Sequence, residues 1–251
     1  MADLHWWPAP AKLNLMLHIT ARRADGYHEL ETAFQILSVG DALAFDVNAS
    51  GTIRRVTPVD GVAEHDDLVV RAARLLQEAS GCAHGVDISI KKRLPMGGGL
   101  GGGSSDAATT LVALNALWGC GLSKSALCEL GLQLGADVPV FVNGHSAFAR
   151  GVGECLENLE LPQYWYVVAT PDLHVSTAAV FSEPALERNC PPVSAEFLTD
   201  MVHAPANVLL GKNVCEPIVA LQQKEVADAV NAMAEFAPAR MTGTGSSVFA
   251  R

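Results

Sequence analysis

One stretch organises this sequence: Pro95-Met96-Gly97-Gly98-Gly99-Leu100-Gly101-Gly102-Gly103-Ser104-Ser105-Asp106. It places six glycines within the seven residues 97–103. Glycine tolerates a positive φ and lets another group come close to the main chain, at an entropic cost that a plain connector would avoid. The run therefore predicts a loop whose backbone is closely approached by another group.

The glycine run stands between a predicted strand and a predicted helix. Residues 86–90 alternate strictly between apolar and polar, which indicates a strand. Ser104 or Ser105 is expected to cap the following helix and Gly119 to end it. The apolar residues of that helix recur at helical spacing: Ala107, Leu111, Leu114 and Trp118.

A strand, a glycine-rich loop and a helix start together predict a phosphate site. The unbonded N–H groups and the positive end of the helix converge on one place, where an anion is stabilised. The basic run Lys91-Lys92-Arg93 lies immediately upstream, in a chain with 17 basic residues and a formal net charge of -10. The alternative is a flexible glycine loop beside a solvated basic run.

Two well-known nucleotide motifs fit this loop poorly. Gly97, Gly99 and Gly102 match the spacing of the dinucleotide fingerprint, but that motif expects an acidic residue about 20 positions further on. Leu122 lies there, in a loop between two helical patterns. A P-loop would need lysine after the last glycine, whereas Ser104 follows Gly103. Neither a nicotinamide-dependent oxidoreductase nor a P-loop enzyme is favoured.

The composition indicates a globular protein of one large or two ordinary domains. The chain has 251 residues, of which 49% are hydrophobic and 18% charged. It contains no apolar run long enough to span a membrane, and residues 1–5 lack the features of a signal peptide. The charge of -10 argues against binding to nucleic acids or anionic membranes.

The cysteines and histidines predict neither a disulfide framework nor a metal cage. The 6 cysteines are scattered without a C-x-x-C motif, and the 8 histidines form no i, i+4 pair. Reduced thiols are expected in this pattern, which favours a cytoplasmic protein.

Residues 11–19 predict a strand with an unusual polar face. Lys12, Asn14 and His18 share that face, opposite a row of leucine and isoleucine. The face meets either solvent or a cleft. An Asp25-Gly26 turn follows and is expected to separate this strand from two further strands, at 32–37 and 42–47.

Three residues at predicted turns have both a structural and a functional interpretation. Tyr27 and His28 are either ordinary strand-end residues or a pair that stacks on and hydrogen-bonds a flat ring. Asp137 lies in the tight, otherwise apolar turn Gly135-Ala136-Asp137-Val138-Pro139. It is either a helix cap or Asx turn, or a general base held against a substrate.

The remaining pattern predicts helices in the second half of the chain. We place a domain boundary near 150–160, which gives the domains 1–153 and 154–251. The predicted elements are a helix at 68–79 capped by His65-Asp66-Asp67 and closed by Gly81, a helix from Ser123 to Gly135, strands at 146–149 and 164–170 (the latter buried), helices at 194–202, 216–222 and 224–236, and a final strand-like piece with a second glycine-rich run at 241–249.

The pattern at 95–108 resembles the nucleotide loop of the GHMP kinases. Other blocks match in the expected order and cover nearly the whole chain, namely Pro10-Ala11-Lys12-Leu13-Asn14-Leu15, Arg23-Ala24-Asp25-Gly26-Tyr27-His28, Leu134-Gly135-Ala136-Asp137-Val138-Pro139 and Thr242-Gly243-Thr244-Gly245. Together they resemble the branch of this family that acts on a cytidine diphosphate-linked methylerythritol in the non-mevalonate isoprenoid pathway.

The resemblance implies a fold and a reaction. The fold would be α+β with two lobes, an N-terminal ribosomal-protein-S5-domain-2-like lobe and a C-terminal ferredoxin-like lobe, with ATP and substrate between them. The reaction would transfer the γ-phosphoryl group of ATP to the 2-hydroxyl of the methylerythritol. The family also continues beyond the last strand by a helix and a strand, so by this resemblance we expect a truncated chain that ends at Arg251.

The resemblance also implies roles for individual residues. The loop Pro95 to Ser105 would surround the ATP phosphates, and Lys12 and Asp137 would be the catalytic pair, with Asp137 taking the hydroxyl proton. Magnesium would accompany ATP, with Ser105 as a possible ligand and Asp106 as a helix cap. The residues implied in substrate binding are Asn14, Tyr27, His28 and Phe181, with His28 reading the cytosine edge and the two aromatic rings enclosing the base.

Two rival functions remain open from the sequence. One is another GHMP kinase, acting on mevalonate or homoserine; the other is a non-catalytic nucleotide-binding module that uses the same loop. The expected partner is a small-molecule substrate, without nucleic acid or membrane, and the expected assembly is a monomer or weak homodimer.

Overall fold

The structure, a computed structural model, describes residues 5–251 and contains both helices and sheets, as the α+β prediction requires. The expected lack of a signal peptide concerned residues 1–5, of which 1–4 lie outside the described residues. The strands are β1 (Trp7–Arg22), β2 (His28–Asn48), β3 (Ile53–Arg55), β4 (Gly85–Lys91), β5 (Ala147–Arg150), β6 (Cys155–Asn158), β7 (Val167–Ala169), β8 (Ala239–Met241) and β9 (Val248–Ala250). The helices are α1 (Leu68–Ser80), α2 (Gly102–Leu117), α3 (Lys124–Leu132), α4 (Val138–Asn143), α5 (Thr177–Ser182), α6 (Ala195–His203), α7 (Glu216–Gln222) and α8 (Lys224–Ala234).

The chain divides into two compact units whose segments alternate along the sequence. The first unit contains the segment ending at Ala11, Leu37–Met96 and Gly101–Gly144. The second contains Lys12–Ile36, Gly97–Leu100 and His145–Arg251. Strands β1 and β2 therefore contribute residues to both units. The domains 1–153 and 154–251 stay a prediction.

The first unit packs helices against a three-stranded part of a sheet. The C-terminal half of β2 pairs antiparallel with β4, with Ala42 opposite Lys91 and Asn48 opposite Gly85. The short strand β3 pairs parallel with β4. Helix α1 packs on α2, and α4 packs on both α2 and α3. The largest fully buried side chains here are Leu43, Leu76, Ile88, Leu111 and Leu114.

The prediction of two separate strands at 32–37 and 42–47 is wrong, because β2 runs through both ranges and through Gly40 without interruption. A Cβ on Gly40 would lie 2.1 Å from the backbone oxygen of Ala9. The glycine is therefore needed for a close approach of β1 to β2, which pair in the sheet. Gly40 therefore marks a contact between two backbones, not a break between two strands.

The second unit contains two groups of paired strands. The N-terminal half of β2 pairs with β5, with Thr32 opposite Ala149, and β5 pairs with β6. A separate antiparallel sheet has the order β7-β9-β8. A cluster of buried residues from β1, α5, α7, α8, β8 and β9 forms the core, and it includes Ile19, Val180, Val219, Val226, Met241 and Val248.

Several predicted elements are confirmed, with two differences in the second half of the chain. The Asp67 side chain caps α1 by accepting from the N–H of Val69, and Ser123 caps α3 through the N–H of Ala126. Helix α3 already ends at Leu132, before the predicted stop at Gly135. The strand predicted at 164–170 is shorter than expected, because β7 spans three residues. It is also not buried as predicted, because Val167 is 67% exposed.

Candidate active site

In the first unit, the glycine run itself begins helix α2. The helix starts at Gly102, and its N-cap Gly101 has a left-handed backbone with φ 75°. The N–H of Ser105 donates to the Gly101 carbonyl at 2.8 Å, so both serines lie in the first turn. The prediction that Ser104 or Ser105 caps this helix is therefore wrong. The amide N–H groups of a first helical turn lack intrahelical partners and favour an anion.

Lys92 lies in a partly buried ion-pair network next to this helix start. Its Nζ is 2.5 Å from Oδ2 of Asp41 and 2.9 Å from Oδ2 of Asp106. Oδ1 of Asp41 accepts from the backbone N–H groups of Arg93 and Leu94 at 2.5 and 2.8 Å. A solvated basic run is thus the wrong description of Lys92. The expectation that Asp106 caps α2 is also wrong, because Asp106 lies inside the helix and pairs with Lys92.

Two polar atoms of the first turns of α2 are buried without a hydrogen-bond partner among residues 5–251, namely Oγ of Ser105 and Oδ1 of Asp106. Ser105 is completely buried and Asp106 is 4% exposed. Burial raises the pKa of Asp106 to about 7, although the nearby Lys92 ammonium acts in the opposite direction. Unpartnered buried polar atoms are costly in a fold unless a ligand or water satisfies them.

Asp106 gives the fold a measurable pH dependence. Because its pKa rises from the ordinary aspartate value of 3.8 to about 7 on folding, the folded chain retains a proton that the unfolded chain has already lost. The stability contributed by this carboxyl is therefore present at low pH and is lost as the pH rises from about 4 to about 7. We expect the free energy of unfolding of Asp106→Asn, measured by urea unfolding, to increase relative to that of the wild type as the pH rises from 5 to 8. Parallel profiles for the two proteins would contradict this, and the exposed Asp60→Asn is the matched control.

In the second unit, the polar face of β1 is buried. Lys12 is 2% exposed, and its Nζ donates to Oδ1 of Asn14 at 2.6 Å and to the Gly99 carbonyl at 2.9 Å. The ammonium also lies 5.6 Å from the ring centroid of Phe34. The alternative in which this face meets solvent is therefore wrong for Lys12 and Asn14.

Asn14 is held from two sides. Its Nδ2 donates to Oγ1 of Thr32 at 2.8 Å, and Thr32 donates onward to the Met16 carbonyl at 2.6 Å. Its backbone N–H donates to Oγ1 of Thr242 at 2.9 Å. Sequence reasoning missed Thr32, which looked like an ordinary strand residue. The network fixes both the amide orientation and the lysine that it contacts.

The second glycine-rich run forms the loop between β8 and β9 and packs on residues 97–100. The N–H of Ser247 donates to the Gly98 carbonyl at 3.1 Å. A Cβ on Gly99 would lie 2.4 Å from the Thr242 carbonyl oxygen, and Gly99 has φ +77°. The family resemblance includes this second run. The structure shows that the second run contacts residues 97–100 of the first glycine run.

A group of rings lies at the start of β2. The rings of His28 and Phe181 stack with their centroids 5.3 Å apart and their planes at 26°. Nε of Arg188 donates to Nε2 of His28 at 3.1 Å. Burial lowers the pKa of His28, and the charges of Arg188 and Arg22 lower it further. Tyr27 is 66% exposed.

Asp137 occupies the N-cap position of α4 in the first unit and is half-buried. In the described part of the chain its carboxylate makes no capping hydrogen bond to the helix. The interpretation of this residue as a side-chain cap is therefore wrong. Its role as a general base stays a prediction.

The structure also shows what the described residues lack. Within 5–251 no group of three or more histidine, cysteine and acidic side chains is arranged to hold a metal ion. Over the same residues, no helix combines the length and the apolarity needed to cross a bilayer. All six cysteines are free thiols, as the sequence predicts.

The chain is similar to several known proteins. Residues 67–145 match the family described as GHMP kinases N terminal domain. The 4-diphosphocytidyl-2-C-methyl-D-erythritol kinase of Nitrosococcus oceani is 56% identical over 244 residues, which is 97% of this chain and 84% of the relative. The protein of the same name from Pseudoalteromonas atlantica is 53% identical over 248 residues, covering 98% of this chain and 84% of that protein.

Solved structures support the same grouping. A crystal structure of 4-(cytidine 5'-diphospho)-2C-methyl-D-erythritol kinase matches with a TM-score of 0.84 and 37% identity, covering 98% of this chain and 89% of its own. A homoserine kinase from Cytophaga hutchinsonii matches with a TM-score of 0.73 and 17% identity, over 100% of this chain and 85% of that one. At that identity the second likeness concerns the fold alone.

Proposed function

The chain belongs to the 4-diphosphocytidyl-2-C-methyl-D-erythritol kinase family of the GHMP kinases, and from this premise we propose how its residues perform the reaction. The protein is an ATP-dependent phosphotransferase with an alcohol acceptor. It transfers the γ-phosphoryl group of ATP to the 2-hydroxyl of 4-diphosphocytidyl-2-C-methyl-D-erythritol, in isoprenoid precursor biosynthesis by the non-mevalonate pathway.

The observation that carries the mechanism is the start of α2 at a glycine N-cap. Gly101 allows the helix to begin inside the glycine run, so the amides of Gly102 and Gly103 belong to the first turn. Such amides and the helix dipole stabilise a polyphosphate. We assign the loop from Pro95 to Ser105 to the ATP phosphates.

In the proposed transfer, Asp137 acts as the general base. Its carboxylate accepts the proton of the substrate 2-hydroxyl while that oxygen forms a bond to the γ-phosphorus. The bond between the γ-phosphorus and the bridging oxygen breaks, and ADP leaves with the electron pair. A positioned base supplies typically 10²–10⁴-fold, and the larger share comes from alignment and charge stabilisation.

Lys12 provides a fixed positive charge in this proposal. Its ammonium is buried and oriented by Asn14 and the Gly99 carbonyl. A fixed cation stabilises the negative charge that develops during phosphoryl transfer, and an opposite charge near a carboxylate favours its ionised form. Asn14 is the proposed contact to the substrate and also orients the lysine.

Magnesium is the proposed companion of ATP, and the first turn of α2 fits it. The Ser105 hydroxyl is buried and has no partner among the described residues, and a hydroxyl oxygen is a suitable ligand for this hard cation. When bound, the ion supplies charge neutralisation on the phosphate oxygens.

The ring cluster is the proposed site of the cytosine. His28 would read the edge of the base, while Phe181 and Tyr27 would enclose it. The stacked geometry of His28 and Phe181 supports this assignment. By analogy with base stacking elsewhere, each aromatic face contributes about 1–3 kcal/mol.

The proposed location is the cytoplasm, which the free thiols favour, and the proposed assembly is a monomer or weak homodimer.

A substrate comparison tests this function. The purified protein with ATP and magnesium is expected to phosphorylate 4-diphosphocytidyl-2-C-methyl-D-erythritol, and to act on the same methylerythritol phosphate without the cytidylyl group at least about 10²-fold less well, because binding energy from the base is then lost. Coupled ADP release measures both rates. Turnover of mevalonate or homoserine without turnover of the cytidylyl substrate would instead support the rival kinases.

A further inference from the structure

Arg188 makes a contact that determines which nitrogen of His28 carries the proton. Nε of Arg188 lies 3.1 Å from Nε2 of His28. A guanidinium has donors only, so Nε2 must accept with its lone pair. In a neutral imidazole one nitrogen is protonated and the other is not, which places the proton of His28 on Nδ1.

We propose that Arg188 is a positioning residue that holds His28 in its Nδ1–H form, so that the ring presents a hydrogen-bond donor to the base and selects cytosine over uracil. This inference rests on the proposed function, in which His28 reads the edge of the base.

The chemistry of the two pyrimidines makes this selection possible. Cytosine has acceptors at O2 and N3, both of which can receive a hydrogen bond from Nδ1–H. Uracil keeps O2 but carries a hydrogen on N3, so a donor facing N3 meets another donor. A site with a fixed donor leaves a polar group unpaired when the wrong base binds, and such mismatches give strong discrimination.

Arg188 is itself held rigidly. Nη2 donates to the carbonyls of Phe181 and Glu183 at 3.0 and 2.8 Å, and Nη1 donates to the Leu186 carbonyl at 3.0 Å. These carbonyls lie at and beyond the end of α5, the helix that carries Phe181. One guanidinium therefore orients the histidine and also anchors the segment whose ring stacks on it.

The positive charges near His28 oppose a second proton on its ring. Arg188 and Arg22 both lower the pKa of His28, and burial acts in the same direction. A doubly protonated ring would lose the Nε2 lone pair that accepts from Arg188. The arrangement thus keeps a neutral ring with one defined donor.

The first test is kinetic and uses the whole protein. Arg188→Met, which keeps a long side chain but has no N–H donor, is expected to raise KM for the cytidylyl substrate about tenfold or more and to leave kcat and the KM for ATP nearly unchanged. The preference for this substrate over its uridylyl analogue should fall by a similar factor. Arg188→Lys retains a donor and should recover part of that preference. An unchanged preference in a folded Arg188→Met variant would overturn the proposal.

The second test needs no substrate and so separates this inference from the proposed function. Nitrogen-15 NMR of the wild-type imidazoles should show His28 with Nε2 unprotonated and Nδ1 protonated at neutral pH. In Arg188→Met the population of the Nε2–H form should rise, together with the pKa of His28. A wild-type His28 protonated on Nε2 would refute the proposal even if the kinase reaction is found.

A double-mutant cycle distinguishes positioning from general damage to the fold. If Arg188 acts through His28, then Arg188→Met should cost little additional base preference in a His28→Ala background. Equal losses of preference in both backgrounds would overturn the proposal. Thermal unfolding of the four proteins by circular dichroism shows that each is folded, and failure of the wild type to use the cytidylyl substrate would count against the proposed function alone.

Discussion

Replacing Asp137 with alanine is expected to lower kcat at least about 10²-fold while the affinity for ATP stays within a few-fold of the wild type. The physical reason is that the 2-hydroxyl loses the group that accepts its proton, and a positioned base supplies typically 10²–10⁴-fold. The Asp137 side chain makes no capping bond to α4 within residues 5–251, and thermal unfolding of the variant checks that the loss does not come from unfolding. Steady-state kinetics and ATP titration measure the two quantities.

The chain offers a matched control for this substitution. Asp67 also stands at a helix N-cap, but its carboxylate does cap α1 and pairs with Arg55. Asp67→Ala should therefore lower the free energy of unfolding by at least about 1 kcal/mol with little change in kcat. Unchanged turnover in Asp137→Ala would remove that residue from the mechanism, and ATP binding without turnover in the wild type would support a nucleotide-binding module.

Replacing Gly99 with alanine is the second change with a large expected effect. The residue has φ +77°, and a Cβ there would lie 2.4 Å from the Thr242 carbonyl oxygen and 3.1 Å from that of Gly245. Both contacts are to backbone, which cannot move aside easily. The carbonyl of Gly99 also accepts a hydrogen bond from the Lys12 ammonium. We expect kcat/KM for ATP to fall at least about 10²-fold and the free energy of unfolding to fall by more than about 2 kcal/mol.

Gly119→Ala separates backbone strain from crowding. Gly119 has φ +67°, but an added Cβ would meet nothing within 4 Å. A left-handed alanine costs about 1–2 kcal/mol, so this control should lose stability by that amount and keep its activity. Equal losses of ATP turnover in the Gly99 and Gly119 variants would contradict the role given to Gly99. Urea unfolding and ATP kinetics on both proteins provide the comparison.

Local signals in the sequence were sufficient for most elements. Asp67 and Ser123 act as caps because a side-chain oxygen before a helical pattern can satisfy the first amides without help from the rest of the fold. Local signals gave wrong results where the rest of the fold decides, namely for the two strands predicted on either side of Gly40 and for the cap predicted at Ser104 or Ser105. A glycine inside β2 reflects the backbone of a neighbouring strand, and a helix that begins at glycines does not need a serine cap.

The connections within the site depend on distant parts of the chain. Lys12 contacts a residue 87 positions away, Asn14 contacts Thr242 at a separation of 228, and His28 contacts Arg188 at a separation of 160. Neither the periodicity of apolar residues nor the spacing of a motif predicts contacts between residues so far apart in the sequence. The resemblance to a family identified the residues that are expected to act in catalysis and binding. The residues that orient them became visible only in the structure.

A structure of the protein with an ATP analogue and 4-diphosphocytidyl-2-C-methyl-D-erythritol tests the central claim most directly. The account predicts that the polyphosphate lies at the start of α2, against the 97–105 loop. It also predicts a carboxylate oxygen of Asp137 within about 2.6–3.2 Å of the substrate 2-hydroxyl. A polyphosphate bound elsewhere, or an Asp137 that faces no acceptor hydroxyl, would contradict it.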